Sequence, residues 1–75
     1  MDKQLQEQWK SKELPELSVG QSVKFKSESD YGHGRYIIKG TIYSINGKHF
    51  TLLKKNGIKE SYLYSLFITN RCTFI

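Results

Sequence analysis

Residues 36–66 read YIIKGTIYSI, then Asn46-Gly47, then KHFTLLKK, then Asn56-Gly57, then IKESYLYSL. Each Asn-Gly pair stands between runs rich in β-branched and aromatic residues, and both residue types accept the positive φ angles that tight hairpins need. Two such pairs about ten residues apart predict a three-stranded antiparallel meander. Everything else in the chain must pack on it.

Upstream, Leu17 to Lys26 reads LSVGQSVKFK, in which Val23 and Phe25 alternate with Lys24 and Lys26, a first strand wet on one side. The polar run SESDYGHGR that follows has two glycines and no apolar period, so it reads as the loop into the meander. Downstream, SLFITN suits a single helical or 3₁₀ turn, and RCTFI makes a last short strand. At the other end, residues 1–14 suit a short helix capped by Asp2, with Leu5 and Trp9 four apart on one face. Leu14 precedes Pro15, which drives it out of the α region and ends the helix. A helix this short is marginal alone, so it docks through Leu5 and Trp9 or frays. The chain divides into a helix and linker over residues 1–16 and a β domain over residues 17–75.

Register decides which side chains meet. A two-residue loop at Asn56-Gly57 sets Leu52 opposite Ser61 and Phe50 opposite Leu63. At Asn46-Gly47 a two-residue loop would pair Tyr43 with Phe50 and turn Ile42 outward. A three-residue loop, Asn46-Gly47-Lys48 with Gly47 left-handed, instead sets Ile42 opposite Leu52 and Ser44 opposite Phe50. The second is preferred because it gathers Ile42, Phe50, Leu52 and Leu63 on one face, with Ile45 turning inward at a bulge beside the loop. Val23, Phe25, Leu66 and Phe74 complete the expected core. Tyr43, Thr51 and Tyr62 then line up on the reverse face beside Leu53 and Glu60.

A chain of 75 residues holds one small core and no enzyme-sized cleft. The single cysteine, Cys72, has no internal disulfide partner, which points to a reducing, cytoplasmic setting. The N-terminal MDKQLQEQWKSKE has no apolar core of a signal peptide, and no run is long enough to span a bilayer, so a membrane location is not expected. Net charge is +5, with 12 Lys and Arg against seven Asp and Glu. Through Ser18, three lysines face four carboxylates; from Val19 onward, nine Lys and Arg face Glu28, Asp30 and Glu60. The β domain therefore carries the positive charge, and such a surface attracts polyanions.

Val19-Gly20-x-x-Val23-x-Phe25, a long polar loop, Gly40-Thr41-Ile42-Tyr43-Ser44-Ile45, two hairpins and a short turn before a final strand resemble the small SH3-like barrels. The nearest kinds are the bacterial KOW and Tudor-like modules. The resemblance covers residues 17–75 and implies a mainly β fold: a small five-stranded, partly open SH3-like barrel with a short N-terminal helix, whose loops bind nucleic acid or a protein partner. The peptide-binding version keeps loop aromatics for proline-rich ligands. Only Tyr31 and Tyr36 correspond here, without the usual meander tryptophan, which counts against that ligand.

Two places invite a polyanion. In the loop Asp30-Tyr31-Gly32-His33-Gly34-Arg35-Tyr36, glycines let backbone amides approach a ligand, Arg35 pairs with phosphate, and Tyr31 and His33 offer stacking faces; the competing reading is a loop whose glycines merely turn the chain. On the sheet, Tyr43 and Tyr62 can stack bases while Lys24, Lys26, Lys39, Lys54 and Lys59 follow the backbone. Against this, the helix with Leu5 and Trp9 can lie over the tyrosine row and cover it, which is slightly favoured. His33, His49 and Cys72 lack any zinc spacing, so no metal is expected. No oriented nucleophile, oxyanion site or cofactor motif is visible, so neither catalysis nor a cofactor is expected.

The function expected is that of a non-enzymatic, monomeric basic module touching RNA or DNA phosphates with weak sequence specificity, since phosphate contacts position without reading bases. The alternative is a protein-interaction adaptor, such as a phage-type regulator engaging a larger host factor, with Leu5, Trp9, Tyr43 and Tyr62 as its contact surface.

Overall fold

The computed structural model describes residues 1–28 and 35–75, with Arg35 described by its backbone. Among the described residues seven elements follow one another: α1 (Lys3–Ser11), β1 (Ser22–Glu28), β2 (Arg35–Ile45), β3 (His49–Leu53), β4 (Lys59–Leu63), α2 (Tyr64–Ile68) and β5 (Cys72–Phe74). The strands form one antiparallel sheet in the order β4-β3-β2-β1-β5. Strands β4 and β5 are its two edges, and α2 carries the chain from one to the other. This is the mainly β, five-stranded, partly open barrel with a short N-terminal helix that the sequence implied. The first strand runs from Ser22 to Glu28 rather than from Leu17 to Lys26.

Helix α1 starts where its cap requires: the Asp2 carboxylate accepts the Leu5 N–H at 2.9 Å. The Asp2 N–H also donates to the Gly47 carbonyl at 2.9 Å, tying the helix start to the first hairpin turn. The helix is over before Pro15, with Glu13 at φ 56° and the Leu14 N–H donating back to the Trp9 carbonyl. It docks on the inner face of the sheet, across α2, and not over the outer tyrosine row. There Trp9 is 4% exposed, meeting Tyr64 and Phe67 at 5.7 Å and Phe74 at 5.9 Å, all edge-on. Its indole N–H donates to the Pro15 carbonyl at 2.8 Å.

Inward-facing Phe25, Ile42, Phe50 and Leu52 come from the sheet, Tyr64 and Phe67 from α2, and Cys72 from β5. Ring contacts at 4.9 Å (Phe25–Phe67), 5.1 Å (Phe25–Tyr62) and 4.5 Å (Phe67–Phe74) knit the three layers. Edge-on and offset pairs of this kind add to the burial energy of the rings themselves. The buried Tyr64 hydroxyl donates to the Asn46 carbonyl at 2.7 Å, so the last helix is fastened to the first hairpin. Val23, Ile45, Leu66 and Phe74 pack against this core as expected.

Leu63 does not. It is 50% exposed, and Tyr62 has taken the inward position. The second hairpin closes on Lys54 and Ile58, with the Lys54 N–H donating to the Ile58 carbonyl, so three residues, Lys55-Asn56-Gly57, form its loop. Gly57 sits at φ 84°, the left-handed residue of that loop. Leu52 therefore opposes Glu60 and Phe50 opposes Tyr62. A shift of one residue turns every side chain of a strand over, which puts Tyr62 in and Leu63 out.

The first hairpin keeps the expected Ile42–Leu52 pairing, but nearer the turn Ser44 opposes Thr51 and Ile45 opposes Phe50. The Asn46 N–H closes on the His49 carbonyl at 2.8 Å, and Gly47 is not left-handed. The extra residue is Tyr43, in a bulge between Ile42 and Ser44 rather than beside the loop. The bulge lets Ile42 and Ile45, three apart, both face the core, which a regular strand forbids.

Candidate nucleic-acid interface

The alternation that sends Val23, Phe25 and Ser27 inward leaves Lys24 and Lys26 on the outer face. Across the sheet Lys24 pairs with Lys39, and Lys26 with Ile37. Beyond the last rung, Thr41 opposite Leu53, the loop that follows β3 brings Lys55 to the same part of the outer face as Lys39. The result is an open groove of about 620 Å³ whose walls include Lys24, Lys39, Lys54, Lys55, Leu53 and Ile75. Lys24 and Lys39 stand side by side on neighbouring strands about 4.8 Å apart, and Lys55 approaches them from the loop. Like charges directly opposite each other in a sheet lower stability. Lys24, Lys39 and Lys55 have no carboxylate partner among the described residues.

Lys54 is different. Its ammonium lies 2.9 Å from Glu60 Oε2, and the Tyr62 hydroxyl donates to the same oxygen at 2.7 Å. That hydroxyl first, and the ammonium second, hold the Glu60 carboxyl below its ordinary range. The Glu60 hydrogen bond raises Lys54, and burial is the main cause that raises Tyr62. The charge of Lys54 is thus matched locally, and the open cations of the groove are the other three.

Of the residues expected to bind nucleic acid, the fold brings Lys24, Lys39 and Lys54 into the groove, with Lys26 one step along the same face. Tyr43 is on the outer face and 51% exposed. Lys59 comes to it from β4, its ammonium 4.1 Å from the ring centroid. Tyr62 faces the core, so the expected row of Tyr43, Thr51 and Tyr62 is broken; Ser61 stands beside Thr51 instead, their hydroxyls 2.9 Å apart. The loop site at Tyr31 and His33 and the side chain of Arg35 lie outside the described residues. In the alternative contact surface, Trp9 is interior, Leu5 is half-buried against the core, and Tyr62 is turned away, which leaves Tyr43.

Lys55 is the groove residue that sequence reasoning missed. The expected Ile42–Leu52 register, continued past Leu53, already pointed Lys55 towards Lys39, so the signal was present in the sequence. Cys72 is buried, and burial pushes its thiol up, away from reactivity. What the outer face can do chemically is donate ammonium hydrogen bonds to anionic oxygens. Among the described residues no helix is long and apolar enough to cross a membrane. Compared with known proteins, the chain matches no protein family, no curated protein and no solved structure.

Proposed function

We propose that this protein is a non-enzymatic, basic, cytoplasmic binding module that holds the phosphates of RNA or DNA with weak sequence specificity. The observation that supports it is the apposition of Lys24 and Lys39, with Lys55 nearby, in an open groove where none of the three forms an ion pair with a carboxylate of the described residues. A sheet gains nothing in stability from such a pair. A phosphodiester chain laid across it turns the repulsion into attraction and releases counterions. The contacts are to phosphate, so affinity depends on salt far more than on sequence. The protein-adaptor reading keeps Tyr43 as an exposed contact, while Trp9 is taken up by the core.

The test is a titration of labelled oligonucleotides at several salt concentrations. Three phosphate contacts give a slope of log K against log salt of roughly −2 to −3. Replacing Lys24 and Lys39 together by Gln reduces that slope by about 1.5 to 2. The same double variant keeps or slightly raises the melting temperature, because a like-charge pair has been relieved. Absence of binding at low salt, or binding indifferent to salt, sinks the proposal.

A further inference from the structure

Resting on that phosphate-binding reading, we infer that the ligand of the outer face is a single strand, with one of its bases stacked on Tyr43. The bulge carries the inference. Tyr43 and Ser44 both stand where a regular ladder would put one residue opposite Thr51. An extra side chain is thereby set on the outer face at the expense of ladder pairing, and bulges re-aim side chains in this way next to binding sites. The side chain so placed is an aromatic one, half exposed, and it is not used by the core.

From β2 the phenol reaches across β3 to Lys59 on β4, whose ammonium lies 4.1 Å from the ring centroid. The ammonium lies over one face of the ring, so a base stacking on that face displaces it and frees the cation for a neighbouring phosphate. Along β2, Tyr43 is four residues from Lys39, roughly 13 Å. A lysine side chain and one nucleotide, from phosphate to base, together cover that span. The backbone then runs over Lys55, Lys39 and Lys24, while a base turns towards Tyr43 with Lys59 at hand for a further phosphate. In a duplex the base faces are stacked on one another and closed to the tyrosine; in a single strand they are open, and stacking tolerates any base.

The experiment compares a labelled oligothymidylate of about 15 nucleotides with a duplex of the same length, at about 50 and 200 mM salt. The protein is the full chain, unmodified or carrying Tyr43→Ala or Tyr43→Phe. The single strand is expected to bind more tightly than the duplex. Tyr43→Ala is expected to weaken it by about 5- to 100-fold with the salt slope unchanged, as loss of one stacked base requires. Tyr43→Phe restores most of the affinity, and because the side chain is exposed both variants melt close to the parent. Tighter binding of the duplex, or a Tyr43→Ala affinity within about twofold of the parent, overturns the single-strand inference while leaving the phosphate reading in place. If neither oligonucleotide binds in a salt-dependent way, both fall together.

Discussion

Replacing Trp9 by Ala removes the side chain that joins the N-terminal helix to the rest of the molecule. Trp9 is 4% exposed, touches three other rings edge-on, and gives its indole N–H to the Pro15 carbonyl. Truncating a buried Trp to Ala costs about 3–5 kcal/mol, since the lost transfer energy is joined by a cavity that the neighbours fill only in part. A chain of 75 residues has a total stability of about 4–11 kcal/mol, so this one change removes a large share of it. With an unfolding entropy near 2.1 cal/mol/K per residue, each kcal/mol corresponds to roughly 6 °C, and the melting temperature falls by about 20 °C or more. Thermal unfolding followed by circular dichroism reads this directly. Trp9→Phe keeps ring contact but loses the hydrogen bond, and is expected to cost about 1–2 kcal/mol. Trp9 is also the single tryptophan of the chain, so the parent's fluorescence is blue-shifted, resists quenching and moves to the red on unfolding. A Trp9→Ala variant melting within about 3 °C of the parent, with solvent-like emission from the native parent, would refute the docking of α1 on the inner face.

Four further outcomes follow from particular contacts. Leu63→Ser changes stability by less than about 1 kcal/mol, because the register leaves Leu63 half exposed; a loss of more than about 2 kcal/mol in urea unfolding would restore it to the core. Tyr64→Phe leaves the Asn46 carbonyl without its donor and costs about 1 kcal/mol, measured in the same way. Gly57→Ala forces a β-carbon into the left-handed region at φ 84° and destabilises by about 1 kcal/mol or slightly more; an unchanged midpoint would contradict the three-residue loop. Glu60 has its pKa lowered in the folded state, so its contribution is present above the ordinary carboxylate pKa and is lost as pH falls through the folded value. The group is exposed, so the parent exceeds Glu60→Gln by roughly a few tenths of a kcal/mol at neutral pH, and the two stability curves meet in acid.

Local chemistry alone determined much of this protein. Asn-Gly pairs between β-rich runs set the two hairpins, Asp2 and Pro15 bracket the helix, and the alternation of Val23 and Phe25 with Lys24 and Lys26 gives the first strand a wet and a dry side. These are short-range effects, each legible within a few residues, and they suffice for the class of fold and for the placing of Lys24, Lys39 and Tyr43 on the outer face. Three things were decided only by the tertiary structure. The length of the second loop turned on which residues of β3 and β4 could fill the space above Phe25, and the Tyr62 ring does so where Leu63 would not have met it edge-on. The bulge moved to Tyr43 because Ile42 and Ile45 both had to reach the same interior. The helix chose the inner face because Tyr64, Phe67 and Phe74, far along the chain, converge there into a socket for Trp9. Lys24 and Lys39 inherit their apposition from the pairing of β1 with β2, which joins segments on either side of a long loop and so was set by the folded sheet.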